Sequence, residues 1–118
     1  MKVCFYGTDS QFQIFQAHLA QVPKYRGAFS QYALFPDYDS LVGGLRIGTF
    51  DLVFVSHDNA YGMEGVIAIR NVMPRVPVIW FSNDEGFGIQ AYRLHTDFFH
   101  SKPITPVILE MALNRALQ

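Results

Sequence analysis

Cysteine is almost missing from this chain: Cys4 is the only one in 118 residues. A lone thiol cannot close an internal disulfide, and one set inside an apolar run reads as a small buried hydrophobe, so a cytoplasmic setting is expected rather than a disulfide-stapled secreted one. A charge excess of either sign is missing too. Nine basic residues face ten acidic ones for a net charge of -1, which leaves no overall footprint for nucleic acid or for an anionic membrane surface. No apolar run approaches the length of a membrane span, and no basic start leads into a long apolar segment, so neither insertion nor export is indicated. Repeats, low-complexity tracts and linkers are likewise missing, so a single domain over residues 1–118 is expected. Half of the residues are hydrophobic, which at this length provides one real core and not two.

The apolar residues fall into short runs, each ended by small polar residues. Lys2 to Tyr6 leads into Gly7-Thr8-Asp9-Ser10, a turn former followed by candidate helix N-caps. From Ser10, Phe12, Phe15, Leu19 and Val22 recur at three- and four-residue spacing in an amphipathic helix that stops before Pro23. Tyr32 to Phe35 reads as a second strand, and Pro36 to Ser40 as a turn into a helix carrying Leu41, Val42, Leu45 and Ile47. Gly43 and Gly44 each weaken that helix by roughly 1 kcal/mol relative to Ala, so it is expected to be short or loosely held.

The central run is Asp51 to Asp58, in which Leu52-Val53-Phe54-Val55 has no polar break and then meets Ser56-His57-Asp58. Such a run reads as a strand buried on both faces, with its carboxyl end opening onto a site. A third helix follows Gly62-Met63-Glu64-Gly65, with Val66, Ile69 and Met73 on one side and Pro74 closing it. Pro77 to Phe81 is a fourth strand ending in Ser82-Asn83-Asp84. A fourth helix spotted with Gly86 and Gly88 follows, then a fifth strand over residues 97–100. Thr105 as N-cap with Pro106 at the first helical position opens the last helix. Strands alternating with helices predict an α/β domain: a doubly wound, five-stranded parallel sheet with five helices on its two faces.

Over its whole length and in element order the chain resembles the receiver domain of two-component response regulators, the CheY-like branch of the flavodoxin-like folds with strand order 2-1-3-4-5. The last third carries the most specific part. Ser82 ends strand four, Tyr92 lies ten residues on, Lys102-Pro103 another ten on, and aromatic Phe99 stands three before the lysine. That spacing, with the segment Asp84 to Tyr92, is similar to receivers that precede LytTR-type DNA-binding domains. Gly62-Met63-Glu64-Gly65 resembles the family's Gly-Met-Asp-Gly turn.

The resemblance implies a phosphotransfer site, and the chain departs from it. In the family an aspartate at the end of strand three receives a phosphoryl group, acidic residues after strand one hold Mg²⁺, a hydroxyl after strand four hydrogen-bonds the phosphoryl group, and a lysine after strand five neutralises it. Phosphoryl transfer is mainly positioning plus charge neutralisation, which is why those residue types are needed. Ser82 and Lys102 match. Ser56 stands in the acceptor position, Gly7 and Thr8 stand where the acidic pair belongs, and only Asp9 remains. A serine hydroxyl without a nearby base is a poor nucleophile; it also cannot ligate Mg²⁺ with a charge, and the acidic pair is missing, so Mg²⁺ is expected to bind weakly or not at all, with Asp9 and Asp58 as its weak candidates. One residue is inserted between Ser56 and Gly65 relative to the family interval, which makes Asp58 the alternative acceptor; the plainer role for Asp58 is to cap or turn the loop. Lys102, lacking its usual partner, is expected to hydrogen-bond Asp9, Asp58 or nearby backbone, because an unpaired buried cation is costly.

Other residues invite sharper readings than they support. His57 beside Ser56 falls on the opposite side of an extended strand, which argues against a nucleophile and base pair. His18, His95 and His100 have no ligand spacing, and Gly86 and Gly88 lack the rest of a phosphate loop. Phe99 with Phe87, Tyr92 and Phe98 gives the face of helix four, strand five and helix five an aromatic character suited to protein contacts. The expected function is therefore a non-enzymatic, degenerate receiver. It needs no cofactor and works through a homodimer, a signalling partner or an output domain, without touching nucleic acid or membrane. The alternatives are a Mg²⁺-dependent receiver phosphorylated on Asp58 and controlling transcription, and an anion or small-molecule sensor using a strand-end pocket of Thr8, Asp9, Ser56, Ser82 and Lys102.

Overall fold

The computed structural model describes residues 1–118. Its elements run in the expected alternation: β1 (Lys2–Tyr6), α1 (Asp9–Leu19), β2 (Gln31–Phe35), α2 (Tyr38–Ile47), β3 (Leu52–Val55), α3 (Asn59–Val72), β4 (Val78–Ser82), a 3-10 turn (Glu85–Phe87) continuing into α4 (Gly88–Arg93), β5 (Phe98–Ser101) and α5 (Pro106–Leu117). The strands pair in parallel in the order β2-β1-β3-β4-β5. This is the flavodoxin-like, CheY-like architecture, whose strand order reverses between β1 and β3. No helix is long and apolar enough to cross a membrane.

Burial on both faces explains the unbroken apolar strands, because alternate residues feed two separate cores. Val3, Phe5, Leu52, Phe54, Ile79 and Phe81 face α1 and α5, where Phe15, Leu19, Leu109 and Leu113 meet them. Cys4, Tyr6, Val53, Val55, Val78 and Trp80 point the other way onto Leu41 and Leu45 of α2 and Val66 and Ile69 of α3. All twelve strand residues are buried to 1% exposure or less. The Cys4 thiol is accordingly raised to about 12 by desolvation, the behaviour of a buried hydrophobe rather than of a reactive thiol.

The helix boundaries follow their caps. Thr8 and Gln11 form a capping box on α1, Asp37 and Ser40 form another on α2, and the Thr105 hydroxyl accepts from Ile108 N–H with Pro106 in the first turn of α5. Two sequence expectations need correction. Gly62-Met63-Glu64-Gly65 is not a turn ahead of the third helix, because α3 begins at Asn59 and contains all four residues. The reason is close packing: a Cβ at Gly65 would run into the Tyr6 ring, so glycine lets the helix lie against β1. Phe98 does not share a face with Phe99. It packs beside Phe81 on the α1/α5 side, whereas Phe99 meets Trp80 on the other.

Candidate functional site

The site lies at the carboxyl end of the sheet, beside the point where the strand order reverses. Strand β3 ends at Val55, and the chain just beyond it is pinned to β1: the N–H groups of Ser56 and His57 both donate to the Tyr6 carbonyl, at 2.8 and 3.2 Å. Ser56 is thereby held 6% exposed. The following residues turn outward, and Asp58 precedes α3 without capping it through its side chain. Its carboxylate points instead toward β5.

There Lys102 meets it. The Lys102 ammonium donates to Asp58 Oδ1 at 2.6 Å and to the Ser56 carbonyl at 2.5 Å, and the Gln11 amide donates to Asp58 Oδ2 at 3.4 Å. Of the partners expected for Lys102, the structure supplies Asp58 and backbone. The lysine is positioned from behind as well, since its own N–H donates to the Ser82 carbonyl at 2.8 Å. Its bond to Ser56 runs to the carbonyl and not to the hydroxyl. The side chains of the ion pair keep 22% and 36% exposure, so the pair is half-buried at the mouth of the site.

The other expected site residues are distributed around this pair. Thr8 is occupied as the α1 cap, its hydroxyl accepting from Gln11 N–H at 3.2 Å while Gln11 Oε1 accepts from Thr8 N–H at 2.8 Å. Asp9 stands exposed at the start of α1 and forms no ion pair. Ser82 is fully buried, and its hydroxyl accepts from Asp84 N–H at 3.0 Å. His57 turns away from Ser56, packs on the Tyr6 ring at 4.7 Å and bonds the Pro36 carbonyl through Nε2 at 2.6 Å. At the neighbouring face, Phe87 and Phe99 both lie on Trp80, at 5.7 and 5.0 Å between ring centroids, while Tyr92 projects into solvent at 85% exposure beside Ile89.

Sequence reasoning missed Gln11. Its amide oxygen lies 2.8 Å and the Phe5 ring 2.9 Å from where a Gly7 Cβ would be, so Gln11 occupies space that a side chain at position 7 would need, and it has its amide nitrogen on Asp58. The capping-box spacing Thr8-x-x-Gln11 was the available signal. Also missed was a clasp between loops: Asn59 N–H donates to Asn83 Oδ1 at 2.8 Å, and Asn83 Nδ2 donates back to Asn59 Oδ1 at 3.0 Å. Asn59 takes φ 58° there, a left-handed conformation that asparagine tolerates better than most residues.

The site offers a Mg²⁺ ion one carboxylate, Asp58, which is already engaged. That ion demands near-octahedral oxygen ligation, usually through one or two carboxylates with waters. No group of three or more His, Cys, Asp or Glu side chains converges anywhere in the chain. Asp58 is the one carboxylate on Lys102 and already shares both oxygens. Beside the pair, a cleft of about 240 Å³ is lined by Gln11, Ile14, His18, Ser56, Lys102, Pro103 and Ile104; Thr8, Asp9 and Ser82 are not part of its lining.

Comparison with known proteins gives a fold likeness and no sequence relative. No family model matches the chain, and no curated protein sequence matches it. Among solved structures, the chain is similar to a CheY-like response regulator receiver domain protein of Methanospirillum hungatei, with a TM-score of 0.75 at 13% identity, covering 98% of this chain and 92% of that one. It is also similar to DrrB, an OmpR/PhoB homolog of Thermotoga maritima, with a TM-score of 0.72 at 18% identity over 98% of this chain; it spans 52% of DrrB's length. The phosphorylated cyanobacterial phytochrome response regulator RcpA gives 0.71 at 18% identity, covering 99% and 94%. At these identities the likeness is one of fold.

Proposed function

We propose that this chain is a receiver-like module of two-component signalling that acts through protein contacts and not through an aspartyl phosphate. The observation that carries the reading is the residue just beyond β3: the buried Ser56 stands where a receiver needs a carboxylate. Phosphoryl transfer to a receiver requires a nucleophile and a bound cation besides a positive charge to meet the incoming phosphoryl oxygens. The charge is present in Lys102, which lies on Asp58 at 2.6 Å, and Asp58 is therefore the carboxylate on which the reading has to be tested. The hydroxyl of Ser56 has no base on it, and the residues after β1 supply a glycine and a helix cap in place of acidic ligands.

With that chemistry absent, the remaining asset is surface. Ile89 and Tyr92 on α4 and Met111 on α5 are exposed apolar side chains flanking β5, and they suit a contact with a second copy or with a signalling partner. The module is expected to have no catalytic activity of its own.

The deciding experiment incubates the chain with Mg²⁺ and acetyl phosphate and then measures intact mass. An unchanged mass is expected for the wild type. A stable gain of one phosphoryl group, lost in Asp58→Asn, would replace this reading with that of a working receiver that uses Asp58 as its displaced acceptor. Sedimentation of wild type against Tyr92→Ala tests the surface: weakened self-association or loss of a co-purifying partner supports it, and identical behaviour removes it.

The cleft beside Lys102 favours a second reading, a small-molecule sensor. Its lining combines apolar Ile14 and Ile104 with the polar groups of Gln11, His18 and Lys102, which suits a small carboxylate or phosphate carrying an apolar part. Thermal stabilisation by such an anion, abolished in Lys102→Met, would support it.

A further inference from the structure

All the helices of this fold run the same way relative to the sheet. Each follows a strand through a loop at the sheet's carboxyl end and returns to the amino end, so the N-termini of α1 to α5 all gather on the side that holds Asp58 and Lys102. A helix macrodipole favours acidic side chains in the first turn and basic ones in the last. The chain follows that preference at two of the five amino ends and four of the five carboxyl ends of its α-helices. Asp9 and Asp39 lie in the first turns of α1 and α2 and Glu85 in the 3-10 turn before α4, while Arg46, Arg70, Arg93 and Arg115 lie in the last turns of α2, α3, α4 and α5. In an up-and-down bundle these local choices cancel across the molecule. Here they add.

The loops extend the pattern. At the carboxyl end Asp9, Asp37, Asp39, Glu64, Asp84 and Glu85 are all exposed, and the cation found there, Lys102, is already paired. At the amino end Lys24, Arg26, Arg46, Arg75, Arg93 and Arg115 are all exposed. Of the acids at that end, Asp97 is engaged by Arg70 and Asp51 accepts from the backbone N–H of Lys2. Glu110 lies midway along α5. The net charge of -1 is therefore a sum in which two opposite ends largely cancel.

We infer that the chain self-associates head to tail, the acidic carboxyl end of one copy seating on the basic amino end of the next. A second copy is the occupant that accounts for both ends, since it presents to each the complementary charge; a polyanion would engage the amino end and leave the acidic one without a partner. The molecule measures 33 × 31 × 28 Å, so its two ends lie about three screening lengths apart at 0.1 M salt and do not neutralise each other, whereas apposed ends of two copies fall within about one, roughly 10 Å. Such a contact is heterologous and repeats along an open chain unless its rotation closes a ring. It is independent of the α4–β5–α5 face and of the phosphotransfer question.

Sedimentation velocity at about 20 mM and about 500 mM salt tests this on the wild-type chain. The sedimentation coefficient is expected to climb with protein concentration at low salt and to fall to that of a monomer at high salt. Two charge-neutralised variants then test direction, Arg46→Gln/Arg75→Gln/Arg93→Gln at the amino end and Asp39→Asn/Glu64→Gln/Glu85→Gln at the carboxyl end. Each alone is expected to stay monomeric at low salt with an unchanged circular dichroism spectrum, and their equimolar mixture to form a dimer that grows no further. The inference is overturned by a wild-type monomer at every concentration at low salt, by association that survives high salt or persists in both variants, or by a mixture that stays monomeric. It is overturned equally if the amino end binds heparin or duplex DNA while copies stay apart, which would assign that end to a polyanion. Tyr92→Ala leaves the head-to-tail contact intact, which separates it from the proposed α4–β5–α5 interface.

Discussion

Lys102 and Asp58, 44 residues apart in the chain, meet with Nζ 2.6 Å from Oδ1. The lysine is carried by the end of β5 and the aspartate by the loop after β3, so their contact closes the mouth of the site across the carboxyl ends of two strands. A fully buried pair broken on one side costs about 3–5 kcal/mol, but solvent reaches both partners here and screens them. Asp58→Ala is expected to lower stability by about 1–2 kcal/mol in urea unfolding, and Lys102→Met/Asp58→Ala to cost less than the two single changes combined. Strict additivity would mean that the pair contributes nothing.

Two adjacent glycines in α2 should respond in opposite directions. Nothing lies within 4 Å of a Cβ added at Gly43, whereas a Cβ at Gly44 would enter the Phe35 ring. Gly43→Ala is expected to stabilise by about 1 kcal/mol through helix propensity, and Gly44→Ala to destabilise by about 1–3 kcal/mol through overpacking. Urea midpoints for the two variants, measured side by side, check the sign of each.

Arg70 is expected to be costly to remove. Its guanidinium donates to the carbonyls of Val76 at 2.6 Å, Leu94 at 2.8 Å and His95 at 2.8 Å, and stands 3.7 Å from Asp97, so one side chain ties the end of α3 to the turn between α4 and β5. Burial lowers its affinity for the proton and Asp97 partly restores it. Arg70→Ala strands several carbonyls, and a loss of about 3 kcal/mol is expected. Arg70→Lys cannot reproduce the fork and should recover only part of it. Faster amide exchange over residues 94–98 is the local readout, and unchanged exchange there would contradict the clamp.

Stability should fall on the alkaline side. Burial raises the Cys4 thiol from 9.0, and the Tyr6 and Tyr32 phenols from 10.0, to about 12 in each case, with Glu64 adding to the Tyr6 shift. The unfolded chain therefore releases these protons first. It binds fewer protons than the folded chain between about pH 9 and pH 12, so the stabilisation is complete below pH 9 and declines across that window. Urea midpoints measured from pH 7 to about pH 10.5 should drop above pH 9, with the earliest part of the fall missing in Cys4→Ala. A flat profile would rule out the burial of these groups as described.

The fold was readable because its signals are local. Each apolar run buried on both faces ends in small polar residues, and Thr105-Pro106 marks the start of α5 by chemistry alone. What escaped depends on contacts between distant segments. Whether Gly65 opens a turn or sits inside a helix is decided by the Tyr6 ring on β1, and no spacing within residues 62–65 reveals that. Phe98 and Phe99 were grouped by adjacency, although neighbouring strand residues must face opposite ways and here enter different cores. At the site, the need of Lys102 for a partner was visible, because it follows from residue type and position. The part played by Gln11 was not, since it needs the side chain to reach from α1 to the loop after β3. Net charge hid the most, for a sum over the chain discards where each charge lies.

The Gln11 amide serves the start of its own helix with its oxygen and the Asp58 carboxylate with its nitrogen. Fraying at the first turn of α1 therefore withdraws a donor from Asp58, and a ligand that pulls on that carboxylate loosens the helix start in return. The opening of this helix and the occupancy of the neighbouring carboxylate are thereby linked, so calorimetry on either event is expected to carry a share of the heat of the other.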